Sequence, residues 1–155
     1  MSMKVTIPDF KRILVKFDNI PEKVNDNVIA ALVESASDLR NEMIDSMGNS
    51  PAIGFPYKRG GKTHIASAPG YPPRKDSGDL ANSFEIDINS LQGTVEIGST
   101  IKDPDYPKFL EEGVDWWSSE TTVNLLPRPY MQPALTKLTP TIENKVMNAI
   151  RKSIK

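Results

Sequence analysis

The chain has 155 residues, 38% of them hydrophobic and 25% charged, with a formal net charge of −1, a composition that fits one ordinary globular domain spanning residues 1–155. It has no cysteine, which excludes disulfides, thiolate catalysis and zinc–thiolate sites. The N-terminus lacks an apolar run of signal-peptide length, and no later segment approaches the roughly 20 apolar residues of a membrane span, so the expectation is a soluble, non-secreted protein with no membrane contact.

In chain order, the stretch TIPDFKRILVKF places Phe10, Ile13, Leu14 and Phe17 on one helical face, with Thr6 as a cap and Pro8 in the first turn. A short amphipathic helix is predicted there. Next, Val24, Val28, Leu32, Ala36, Leu39, Met43 and Met47 recur every three or four residues, the strongest periodic signal in the chain. This predicts a long helix from about Pro21 to Met47, closed by Gly48 as a left-handed cap.

Between Gly48 and Gly78 periodicity vanishes, and the segment holds six of the nine glycines and five of the thirteen prolines. It reads as an extended loop without regular structure, of a length that marks a functional or partner-ordered segment. It is also basic. From Ser46 to Lys75 there is no Asp or Glu, against Lys58, Arg59, Lys62, Arg74 and Lys75, whereas Asp76 to Glu120 holds eleven acids and only Lys102 and Lys108.

The segment SFEIDINSLQGTVEIGS alternates Phe84, Ile86 and Ile88 with Glu85 and Asp87, turns near Gln92-Gly93, and resumes with Val95 and Ile97. Period two with a glycine turn predicts an antiparallel hairpin. A short helix from about Pro107 to Glu112, ended by Gly113, precedes a second polar loop carrying Trp116 and Trp117. That pair reads either as an interface anchor, with Leu125-Leu126 in the same patch, or as buried aromatics under a loop. A final helix follows, with Leu135, Leu138, Ile142, Val146, Ala149 or Ile150, and Ile154 as its apolar stripe. Pro140 predicts a kink, or a restart capped by Thr139.

Catalytic chemistry is sparse. The single histidine, His64, sits in the acid-free segment without an orienting carboxylate and reads as a solvated loop residue. The acidic pairs Asp103/Asp105 and Glu111/Glu112 lie in charged, turn-forming contexts and read as solvated surface. KRGGK lacks the glycine spacing and the Lys-Ser/Thr ending of a phosphate-binding loop. No catalytic residue, metal site or cofactor is assigned. Nucleic-acid binding through the basic loop meets few nearby aromatics (Phe55, Tyr57, Tyr71), no recognition motif and an acidic pI of about 5.9.

The ordered blocks PGYPPRKDSGDLANSFEI, VEIGS, DYPKFLEEG and RPYMQPAL resemble the tail-completion or head–tail joining family of long-tailed bacteriophages. The resemblance runs from about Pro69 to Leu135. Its loop block matches at Pro69, Gly70, Pro72 and Pro73, and its sheet entry at Ser77, Gly78, Leu80 and Ser83. Later blocks match at Tyr106, Leu110, Glu111, Gly113, Arg128, Pro129, Tyr130, Pro133, Ala134 and Leu135. The chain departs at Val114, where that family usually carries threonine, and DWWSSETTVN has no counterpart in the pattern.

Taken singly, each matched position is a turn or a strut: Gly78 and Gly113 suit positive φ, and Pro72-Pro73 an extended segment with little entropy left to lose on docking. The resemblance implies an α+β protomer, a small antiparallel sheet packed against a long N-terminal and a C-terminal helix, with a long Pro/Gly-rich loop. It implies a non-enzymatic virion protein of the tail and neck, assembled in the bacterial host cytoplasm as a homo-oligomeric ring, six subunits being the expectation. Its partners would be further copies of itself, the tail tube protein, and a head connector or head-closure protein, with encapsidated DNA passing through the ring. Lys58, Arg59, Lys62, Pro69, Gly70, Pro72, Pro73, Arg74 and Lys75 form the expected assembly loop. The alternative is a phage accessory protein that binds nucleic acid through this basic loop.

Overall fold

The computed structural model describes residues 3–6, 12–17, 22–90, 92–101, 105–117 and 122–153. The fold is α+β. A four-stranded antiparallel sheet has the order β1-β2-β6-β5, built from β1 (Met3–Thr6), β2 (Arg12–Phe17), β5 (Phe84–Asn89) and β6 (Thr94–Ser99). Separate two-stranded ribbons pair β3 (Pro56–Arg59) with β4 (Lys62–Ile65), and β7 (Val114–Trp117) with β8 (Thr122–Leu125). The helices are α1 (Glu22–Gly48), α2 (Asp79–Asn82), α3 (Asp105–Glu112) and α4 (Met131–Ser153).

The long helix forms where the periodicity places it: Val28, Leu32, Ala36, Leu39, Met43 and Met47 are all buried. It lies across β5 and β6 and packs along α4. Cross-links at Asn27–Ser153, Glu34 and Asp38 with Lys145, and Glu42–Lys137 set the two helices antiparallel. Two apolar clusters meet along this seam. One joins Val28, Leu32 and Val95 to Val146 and Ile150, and the other joins Leu39, Met43, Phe84 and Ile97 to Tyr130, Leu135 and Ile142.

The expected N-terminal helix is not formed: its residues supply β1 and β2, with Thr6 opposite Leu14 rather than capping a turn. Phe10 and Pro8 lie outside the described residues. The reason is tertiary. Ile13, Val15 and Phe17 also alternate with period two, and the register sets Ile13 against Ile97 and Val15 against Val95. That pairing covers an edge of β6 that would otherwise stand open, a gain that an isolated helix of about three turns cannot match.

Gly48 is the last helical residue and not a left-handed cap, because the Asn49 N–H still donates to the Asp45 carbonyl at 2.9 Å. Gly93 does take φ 61° at the turn of the β5–β6 hairpin. The helix α4 runs through Pro140 without a restart: the Thr139 hydroxyl donates back to the Leu135 carbonyl at 2.7 Å instead of capping a new helix. Pro140 sits on the exposed side, where the carbonyl it leaves unpaired can be solvated.

Candidate functional site

The supposedly structureless segment 48–78 contains an antiparallel arm. Its two strands turn at Gly60 (φ 55°) and Gly61 (φ 76°), consecutive positive φ values suited to a tight two-residue hairpin loop. At the root of the arm, Gly54 N–H donates to the Ala66 carbonyl at 2.8 Å and Ala66 N–H to the Phe55 carbonyl at 3.1 Å. A side chain at Gly54 would collide with the Ser67 carbonyl, which is why glycine stands there.

Register places Tyr57 and His64 opposite each other, and Arg59 opposite Lys62. Cross-strand partners share a face, and that face grips Asp76. The His64 Nδ1 lies 2.9 Å from Asp76 Oδ1, the Tyr57 hydroxyl donates to Oδ2 at 2.9 Å, and Arg59 Nη1 donates to the same oxygen at 3.3 Å. Arg59 Nη2 reaches Asp79 at 3.2 Å, and Asp79 also accepts from Ser77 Oγ at 2.6 Å. The Tyr57 and His64 rings stack at 5.6 Å.

His64 therefore has the carboxylate that its acid-free neighbourhood seemed to deny it, because Asp76, the first acid beyond that neighbourhood, folds back onto it. The Tyr57 hydrogen bond holds the Asp76 carboxyl below the usual carboxylate range, with His64 and Arg59 adding to the effect against desolvation. Asp79 is lowered too, by Ser77 first and then Arg59. Between arm and body lies a cleft of about 500 Å³ bordered by Met47, Arg59, Leu80 and Tyr106. Among the described residues no group of His, Asp and Glu is arranged to hold a metal ion.

A second cluster sits where the separated sequence blocks meet. Glu111, at the end of α3, is buried and not a solvated surface acid. Its Oε2 accepts the Tyr130 and Met131 N–H groups at 2.8 and 2.9 Å, and its Oε1 the Gln132 N–H at 2.9 Å. These are donors at the start of α4 that the helix cannot satisfy internally, so Glu111 acts as a cap supplied from another element. Pro133 fits the same first turn because it has no N–H to satisfy. The Arg128 N–H donates to the Leu110 carbonyl at 2.7 Å, Arg128 Nε to the Ser67 carbonyl at 3.2 Å, and Gly70 N–H to the Pro127 carbonyl at 2.8 Å. Tyr130 is fully buried against Phe84, and burial, followed by the Glu111 charge, drives its phenol far above its ordinary pKa. Ala134 and Leu135 continue the buried face, and Pro129 is half-buried in the segment leading into α4.

The predicted loop residues thus divide by role. Pro69 is exposed beside Gly70, and the Pro72 carbonyl accepts from Ser50 Oγ at 2.6 Å while Pro73 is buried. Arg74 Nη1 donates to the Ile65 carbonyl, and Lys75 N–H to the Met47 carbonyl. Gly78 has φ 91°, and Ser83 Oγ bonds both the Leu80 carbonyl and Ser99 Oγ. Tyr106 is half-exposed on the cleft. Gly113 has φ 77°, as its position after the helix required.

After Gly113 the expected polar loop is instead the β7–β8 ribbon, with Trp116 opposite Val123 and Trp117 opposite Thr122. The Trp116 and Trp117 side chains lie outside the described residues; Leu126 beyond β8 is about half exposed. Comparison with family models, curated proteins and solved structures returned no match to this chain.

Proposed function

We propose that this chain is a structural, non-enzymatic virion protein of a long-tailed phage: a tail-completion or head–tail joining subunit that works as a ring at the head-proximal end of the tail. The observation that carries the reading is the convergence of its motif blocks. Residues of the loop block, the Leu-Glu-x-Gly block and the Arg-Pro-Tyr block, far apart in sequence, are tied to one another by the Gly70–Pro127, Leu110–Arg128 and Glu111–Tyr130 bonds. The blocks act together as one joint of the scaffold, the role that the resemblance asks of them.

That joint fixes the root of the basic arm to the start of α4, so the arm is carried on the body and not on a free tether. The ring would contact further copies, the tail tube and the head connector, with DNA passing through. Nucleic-acid binding by the arm is the weaker reading, because Arg59 is committed to Asp76 and Asp79, and Arg74 to a backbone carbonyl.

The test is a phage carrying a deletion of this gene. Filled heads and separate finished tails that join when the purified chain is added support the proposal. Normal particles without the chain would refute it.

A further inference from the structure

The four-stranded sheet carries opposite charges towards its two edges. Its register forms rows: Val5, Val15, Val95 and Ile88 stand side by side on β1, β2, β6 and β5. Val95 is buried with α1 and α4 residues, so this row marks the helix side of the sheet, and alternate rows fall on the other, open side. On the open side the register places Lys4, Arg12 and Lys16 on β1 and β2, and Glu96, Glu85 and Asp87 on β6 and β5. Glu96 is engaged within the chain, whereas Glu85 and Asp87 are exposed with no side-chain partner among the described residues.

The terminal strands are β1 and β5. The Ser83 carbonyl accepts the Thr100 N–H at 2.9 Å, so alternation turns the next carbonyl, that of Phe84, to the outer edge of β5, where Arg40 Nε donates to it at 3.0 Å. The backbone groups of Ile86 and Ile88 point the same way, and no strand of the described residues pairs with them there. Ile88 is 46% exposed although it stands beside buried Val95, and Ile29, Val33 and Ile86, which pack against the same cluster, are only part-buried. The acidic edge therefore combines open backbone groups with uncovered apolar surface on its helix side.

We propose that the β5 edge of one copy takes the β1 edge of the next, so that the sheet continues from subunit to subunit. Every pair in the sheet is antiparallel, so β1 and β5 run in opposite directions and the added strand is antiparallel too. Continuing the sheet keeps its two sides apart: Lys4 joins the open side that holds Glu85 and Asp87, and Met3 and Val5 join the helix side that holds Ile86 and Ile88. Two β5 edges would set acids against acids, so unlike edges are favoured over a two-fold contact. A contact between unlike edges is head-to-tail, the kind that closes into a ring. The inference rests on the ring reading in taking a second copy as the partner.

The chain has no cysteine, which makes a direct test clean. A Lys4→Cys chain is mixed under mild oxidation with a Glu85→Cys or an Asp87→Cys chain, and with an Ile88→Cys chain as the control on the other side of the same strand. Sedimentation of the unmodified chain, alone and on tail tubes, reads assembly. The faster of the two open-side mixtures should form its mixed disulfide roughly tenfold faster than the control, because cysteines on opposite sides of a sheet point apart. In parallel, Glu85→Lys with Asp87→Lys should weaken assembly about tenfold without changing the melting temperature, and adding Lys4→Glu to the same chain should recover part of the loss. If the unmodified chain assembles but the open-side mixtures do not exceed the control and the charge reversal changes nothing, the edge contact is wrong and the ring stands. If the unmodified chain stays monomeric even on tail tubes, the ring falls and this contact falls with it. Faster coupling of Asp87→Cys to itself than to Lys4→Cys would show a two-fold contact and overturn the proposal.

Discussion

Glu111 accepts the backbone N–H of Tyr130 at 2.8 Å across 19 positions of sequence, and with it the next two N–H groups of the chain. One buried carboxylate thereby fixes the end of α3 to the start of α4. Its removal would orphan three buried or half-buried donors together. Glu111→Ala should therefore destabilise the fold by about 3 kcal/mol, within the range for losing charged hydrogen bonds and a helix cap. Glu111→Gln keeps one acceptor oxygen but loses the charge, and should cost about half as much. Urea unfolding of the two variants checks the ordering; equal, small losses would show that the cap is replaceable by solvent.

Two glycines separate backbone necessity from helix punctuation. Gly113 has φ 77°, and a Cβ there would lie 2.6 Å from the Leu125 carbonyl oxygen and 2.9 Å from Pro127 Cδ. Gly113→Ala is expected to lose about 2 to 3 kcal/mol. Gly48, by contrast, is helical, exposed and open on all sides. Gly48→Ala should raise stability by about 0.5 to 1 kcal/mol, since alanine loses less backbone entropy in a helix. Thermal melts of both variants decide the matter, and a loss at Gly48 would restore the left-handed cap that its place in the sequence suggests.

Much of the fold was legible in the sequence because it is carried by repeated local signals. The α1 stripe from Val28 to Met47, the Phe84–Ile97 hairpin and the Gly113 stop all declare themselves within a few residues. What was not legible depends on partners distant in sequence. The segment Arg12–Phe17 satisfies both a helical and an alternating pattern, and only the presence of β6 decides between them. Asp76 is twelve residues from His64, and Glu111 is indistinguishable from Glu112 until α4 is placed against it. One signal was available and unused: Gly60-Gly61 between PYKR and KTHI is a two-residue hairpin turn in its own right. The division of the basic arm residues needed the register, which puts Arg59 and Lys62 with Tyr57 and His64 on the face turned to Asp76 and Lys58 on the opposite face.

The grip of Tyr57, Arg59 and His64 on Asp76 makes the arm's attachment dependent on pH in a defined direction. Asp76 and Asp79 have folded-state pKa values lowered from 3.8, Asp76 chiefly by Tyr57 and Asp79 chiefly by Ser77. A carboxyl lowered on folding contributes its stabilisation fully above the unfolded pKa and loses it as the pH falls through the folded one. The arm should therefore stay attached from neutral pH down to about 4 and loosen below that. Amide exchange of residues 56–65, followed from pH 6 to pH 3 and corrected for the intrinsic rate, reads this directly. In the unmodified chain protection of the arm should fall in the acid range while the α1 core keeps its own. In Asp76→Asn the arm should be less protected already at pH 6, because the amide cannot take the charge-assisted bonds of Arg59 and His64, and most of the acid-dependent change should disappear. Arm protection that is the same in both proteins at every pH would mean that the ribbon is held by its own backbone ladder alone, and that Asp76 is not what fixes it to the body.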